Sequence, residues 1–140
     1  MSRETAPTLT RPRVADFMTQ SPHCIGPRAT LSTARRLMRE HLIRHLPVVD
    51  RDGLTGVLSE RDLDALERFR EIDPERVTVA EAMTQDIYTA TPDEDLDRVA
   101  AAMVERRCGS AVIVDQGRVV GLFTTTDALR AVEWLVGTHQ

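Results

Sequence analysis

The chain repeats itself without a gap. GVLSERD, from Gly56 to Asp62, returns 65 positions later as GLFTTTD, from Gly121 to Asp127. The same offset carries Val14-Ala15 onto Val79-Ala80, Met18-Thr19-Gln20 onto Met83-Thr84-Gln85 and Pro27 onto Pro92. It also carries Leu31 onto Leu96, Met38 onto Met103, Glu40 onto Glu105 and Val49-Asp50 onto Val114-Asp115. Self-similarity at one fixed offset marks a duplicated structural unit. Two copies with so long a period make a tandem pair rather than a solenoid. Each copy holds about 60 residues, too few for a generous core alone. The two are therefore expected to pack on each other.

Each copy reads as β-α-β-β-α, which places the chain in the α+β class. VADFM and VAEAM are short enough to be single helical turns. His23-Cys24-Ile25 and Ile87-Tyr88-Thr89-Ala90 have the content of short strands. Thr30 and Asp95 then stand as N-caps. Leu31, Ala34, Leu37, Met38 and Leu42 give the first helix one apolar stripe. Leu96, Val99, Ala100, Met103 and Val104 do the same in the second copy. LPVVD with LTGVL, and AVIVD with VVGLF, form hairpins about turns at Arg51-Asp52-Gly53 and Gln116-Gly117. A second helix follows each cassette, from Glu60 to about Arg70 and from Thr125 to Val136, with Gly137 as the stop. Asp73-Pro74-Glu75 breaks the chain between copies. The expected division is a loose tail at 1–12, one unit at 13–73 and a second at 74–137.

Composition excludes several classes. Over 140 residues the net charge is −4, which argues against a nucleic-acid surface. No apolar run approaches the roughly 18 residues of a membrane span, and MSRETAPTLTRPR lacks a signal peptide's apolar stretch. A cytoplasmic setting is expected. Cys24 and Cys108 form no CxxC pair and read as small buried residues.

The cassette has two readings. Ser59-x-x-Asp62 and Thr124-x-x-Asp127 are capping boxes, with the hydroxyl and the acid closing a helix's first turn. The same helix start presents N–H groups and positive potential to an anion. Ser59, Thr124, Thr126 and Arg61 are then phosphate donors, and Asp62 and Asp127 can each accept from two vicinal ribose hydroxyls. Gly56 and Gly121 would admit a ligand or a neighbouring strand to close approach.

The duplicated unit, the Met-Thr pair near each start, the PVVD and VIVD strands and the two cassettes together resemble a pair of CBS domains, a Bateman module, over about residues 10 to 136. The resemblance implies two tandem CBS units packed through their sheets with pseudo-two-fold symmetry. It implies an adenosyl effector (AMP, ADP, ATP, NAD or S-adenosylmethionine) in clefts between the units, and no required cofactor. Phosphate contacts would fall on Ser59, Thr124 and Thr126, with Arg61 and Arg44 as basic additions, and ribose contacts on Asp62 and Asp127. The adenine pockets would involve His23, Cys24, Ile25 and His45 in one copy, and Tyr88, Thr89, Ala90 and Ser110 in the other. The second cassette keeps its pattern whole, while the first carries Glu60 and Arg61 in the middle, so the sites should be unequal.

Other constellations carry less. His41 and His45 have a zinc-like spacing, but Pro47 and the strand signal place the helix end between them, so no metal site is expected. No Ser, His and Asp spacing indicates a nucleophile with its base, so no catalysis is expected. Arg35, Arg36 and Arg39 read as a solvated helix face. Leu129, Val132, Trp134, Leu135 and Val136 give the last helix an apolar stripe, read as core packing, with a homodimer interface as the alternative. The favoured function is a stand-alone regulatory ligand sensor acting on an effector protein that the sequence does not identify. The alternative is a structural or protein-interaction module whose clefts are vestigial.

Overall fold

The computed structural model describes residues 11–69 and 71–137. In chain order it contains a 3-10 turn at Val14–Asp16, β1 (Thr19–Gln20), α1 (Leu31–His41), β2 (His45–Asp50), β3 (Gly53–Ser59) and α2 (Glu60–Phe69). There follow α3 (Val79–Ala82), β4 (Thr89–Ala90), α4 (Leu96–Arg106), β5 (Ser110–Asp115), β6 (Arg118–Thr124) and α5 (Thr125–Gly137). The expected strand at His23-Cys24-Ile25 is reduced to one bridge, Ile25 to Val48. Gly137 ends α5 from inside rather than following it, and Arg70 lies outside the described residues.

Local chemistry explains the boundaries. Thr30 Oγ1 accepts from Thr33 N at 3.3 Å and caps α1. Leu42, left-handed at φ 54°, closes it before His45 enters β2. Asp95 holds the N-cap position of α4 as expected, but its side chain makes no cap bond, and Arg11 Nε lies 3.4 Å from its carboxylate. Gln116 and Gly117 both take positive φ, 51° and 80°, the turn form that follows the twist of paired strands.

Two sheets result. One has the order β1-β6-β5-β4, and the other is the β2-β3 hairpin, extended by bridges to Ile25 and Thr84. The hairpins slip register at matching places, Val48/Val49 and Ile113/Val114. β3 and β6, the strands that end in the cassettes, touch across the junction between copies.

The leading segments change places. Val14 is fully buried in the second copy's core with Val99, Ile113 and Phe123, and Thr19–Gln20 pairs with β6. Val79 is fully buried in the first copy's core with Leu31, Leu46 and Leu58, and Thr84 bridges to Val57. The backbone bonds repeat at the 65-residue offset: Val14 N donates to Glu94 O at 2.9 Å, and Val79 N to Ala29 O at 2.8 Å. Ala15 N to Pro92 O and Ala80 N to Pro27 O form a second such pair, at 3.1 and 2.9 Å. The sequence repeat and the packing unit are thus different objects.

That crossover explains the cassette glycines. A Cβ on Gly56 would stand 2.6 Å from Met83 Sδ and 2.9 Å from Thr84 O. A Cβ on Gly121 would stand 3.0 Å from Met18 Cγ and Cε, and nearer still to Sδ. In each case the close neighbour is the Met-Thr segment that leads the other copy.

Candidate functional site

Both cassettes close as capping boxes. Ser59 N donates to Asp62 Oδ2 at 3.0 Å, and Asp62 N donates to Ser59 Oγ at 3.0 Å. In the second copy Thr124 N donates to Asp127 Oδ2 at 2.9 Å and Asp127 N to Thr124 Oγ1 at 3.3 Å. Thr124 differs from Ser59 in one respect: its hydroxyl also donates to Asp127 Oδ2, at 3.1 Å. In this structure the Thr124 proton is directed at the Asp127 carboxylate. Thr126 and Arg61 are exposed, with no side-chain hydrogen bond or ion pair among the described residues.

Asp127 is 5% exposed, the one buried charged residue among those described. Its Oδ1 has no hydrogen bond among the described residues, which is unusual for a buried polar atom. Asp62, in the matching place, is only half-buried.

His45 lies beside both cassettes. It opens β2 opposite Ser59. Its Nε2 is also 3.6 Å from where a Cβ on Gly109 would stand, in the second copy. Thr125 reaches the same place, its N–H donating to Gly109 O at 3.1 Å. Burial lowers the His45 pKa from its ordinary 6.5. Asp62, Asp127 and Glu60 oppose that shift, and Arg44 adds to it. Ser110 holds the equivalent position on β5, opposite Thr124. Arg44 is exposed, and its Nε sits 3.9 Å from a Glu60 carboxylate oxygen.

The ring residues predicted for the adenine pockets have partners of their own. His23 stacks on His41 with centroids 3.6 Å apart and planes 16° apart. Tyr88 lies under the Arg106 guanidinium, 5.2 Å from the ring centroid. His23 and Tyr88 are equivalent by the 65-residue offset, and so are His41 and Arg106. The pairing is thus a duplicated contact at the C-terminal ends of α1 and α4, and it covers one face of each ring. Ile25 and Ala90 point into the two cores, 7% and 1% exposed. Thr89 is exposed.

Both cysteine expectations need correction. Cys24 is exposed, one place before the inward-facing Ile25, and Cys108 is half-buried against the second core. Partial covering of its thiol still raises the Cys24 pKa. Arg35 is not a solvated residue: its side chain is 18% exposed and bridges Asp64 and Glu67 at 3.0 and 2.8 Å. Of the apolar stripe of α5 only Leu135 packs against the core, beside Ala128 and the buried Ala131, while Leu129, Val132, Trp134 and Val136 are 57–67% exposed. Among the described residues no group of three or more His, Cys, Asp or Glu could hold a metal ion. Nor is any helix there long and apolar enough to cross a membrane.

Comparison with known proteins matches the CBS domain family at residues 14–71 and 79–133, one match per copy. Hypoxic response protein 1 of Mycobacterium tuberculosis is 30% identical over 116 residues, 82% of this chain and 81% of that protein. Among solved structures, the CBS domain pair of protein MJ0100 in complex with 5′-methylthioadenosine and S-adenosyl-L-methionine superposes with a TM-score of 0.80. It is 28% identical and covers 93% of this chain and 99% of that one. CBSX2 in complex with AMP superposes with a TM-score of 0.76 at 26% identity, covering 89% and 98%.

Proposed function

This chain belongs to the CBS-domain family, and from that premise we propose that it is a regulatory module binding an adenosyl ligand between its two copies. The observation that carries the reading is Asp127. A carboxylate 5% exposed, held by Thr124 through one oxygen only, keeps a second acceptor ready for a hydroxyl donor. A ribose presents such donors, and the start of α5 beside it suits the phosphate of the same ligand through Thr126. Arg61 offers the first copy a full charge in the matching place. MJ0100 and CBSX2, whose structures hold adenosyl compounds, support the ligand class. In this reading the module does no chemistry of its own. Its output is a shift in conformation or assembly of a homodimer, read by an effector protein, and the ligand acts by favouring one state over another.

Thermal unfolding with AMP, ADP, ATP, NAD and S-adenosylmethionine tests this. A ligand at about 100 times its dissociation constant stabilises by about 2.7 kcal/mol. Asp127→Asn, which keeps the cap acceptor, should abolish most of that shift, and Asp62→Asn should reduce it less. A shift unchanged in both variants would remove the ribose assignment. The closed capping boxes favour a second reading, a protein-interaction module with vestigial clefts. That reading stands if no compound shifts the transition.

A further inference from the structure

The junction between the copies is chemically lopsided. Arg44, His45, Glu60 and Arg61 stand around the first cassette, and the equivalent positions of the second copy hold Gly109, Ser110, Thr125 and Thr126. Four ionisable positions become four neutral ones. GLFTTTD carries no basic group of its own. One of the four ionisable groups crosses over. His45 opens β2 opposite Ser59, yet its Nε2 lies 3.6 Å from where a Cβ on Gly109 would stand. Thr125 Oγ1, in the first turn of α5, lies 3.7 Å from the same point. Gly109 thus keeps clear the space in which the imidazole of one copy meets the helix start of the other. The ring is half-buried and has no hydrogen bond or ion pair among the described residues. The charged groups that face it are Glu60 and Asp62 from α2, Asp127 from α5 and Arg44 from the turn before β2. The balance around the ring is negative.

We infer that the module binds a phosphate-bearing adenosyl ligand together with a proton, held on His45, and so responds to pH as well as to the ligand. The inference rests on the ligand reading above and adds its charge balance. A phosphate at the start of α5 brings up to about two negative charges to a place already faced by three carboxylates. The helix N-terminus supplies only about half a positive charge. An imidazolium at position 45 supplies a whole one and donates through Nε2. Burial keeps His45 mostly neutral at neutral pH in the free protein, so the proton has to arrive with the phosphate. A nucleoside without a phosphate gives that proton nothing to balance and should bind without it. In the first copy Arg61 holds a permanent charge at the place of Thr126, and no proton is called for there.

Calorimetric titration of the full chain with AMP and with adenosine, at about pH 8 and about pH 6.5, tests the coupling. AMP should bind about threefold more tightly at the lower pH, with proton uptake read from buffers of different ionisation enthalpy. Adenosine should show neither effect. His45→Ser installs the residue found at position 110, and should weaken AMP binding and lose both effects. Comparing the two chains cancels the titration of the phosphate itself. His45→Lys should still prefer AMP to adenosine at both pH values, without proton uptake. His45→Gln, closer in size, gives the same reading as His45→Ser if that chain does not fold. Proton uptake that persists in the variants, or a gain shared by adenosine, overturns the role of His45. AMP binding equal at both pH values overturns the coupling while the ligand reading stands. Failure of AMP to bind at either pH overturns the inference, and the five-compound thermal series then decides the ligand reading separately.

Discussion

Asp127 and His45 carry different kinds of information about the site. The Ser/Thr-x-x-Asp spacing was legible in the sequence as a cap and as a ligand clamp, and the two uses are compatible because Asp127 caps through Oδ2 alone. The sequence could not reveal that Thr124 donates its proton to that same carboxylate, because hydroxyl orientation follows from three-dimensional geometry. In the sequence His45 reads as a pocket residue or as half of a zinc-like pair with His41. The structure adds that it is largely withdrawn from water and faces Asp62, Asp127, Glu60 and Arg44. Burial holds its folded pKa below 6.5. Between that lowered pKa and 6.5 the unfolded chain binds more protons than the folded one, so stability rises with pH through this window. The contribution of neutral His45 is complete above 6.5 and is lost as pH falls. His45→Ser, the residue at the equivalent position 110, should flatten the change in melting temperature between about pH 7 and pH 5. An unaltered slope would assign the pH dependence to other groups.

At the level of elements, the hairpins, the helices and the Thr30 cap follow from periodicity and cap chemistry. Asp95 stands at the N-cap of α4 without a side-chain cap bond, and its carboxylate lies instead beside Arg11, far away in sequence. The glycines of the cassettes were legible as points of close approach, but not the identity of the approaching group. That required knowing that each Met-Thr segment crosses to the other copy. The two glycines should tolerate a methyl group unequally. At Gly121 the crowding atoms all belong to the Met18 side chain, which can change rotamer. At Gly56 they include the backbone oxygen of Thr84, fixed 2.9 Å away by its bridge to Val57. Gly56→Ala should cost about 1–3 kcal/mol by overpacking, and Gly121→Ala less. Met18→Ala combined with Gly121→Ala should recover part of the second loss, measured as midpoints of urea unfolding. Equal costs at both glycines would show that the backbone of Thr84 yields as readily as a methionine side chain.

For the whole molecule, the crossover makes the copies interdependent. The repeat predicted two units packed together, which the fold bears out, yet sequence similarity alone could not show that Val14 belongs to the second core and Val79 to the first. Cutting at 74 removes Val14, the methionine seated on Gly121 and the strand paired with β6 in one stroke. Residues 74–137 alone should therefore stay unfolded. Supplying residues 11–20 through a flexible linker should restore a cooperative transition, because it returns those three contacts to the second copy. In the full chain the two halves should melt together. Trp134, the single tryptophan, sits on α5 in the second copy with its ring 5.7 Å from Phe17 of the crossing segment. Its fluorescence follows the second copy and its junction, while far-UV ellipticity follows every helix. Coincident urea transitions by the two probes are expected of one cooperative unit. A tryptophan transition displaced from the ellipticity transition would mean that the exchanged segments detach before either core unfolds.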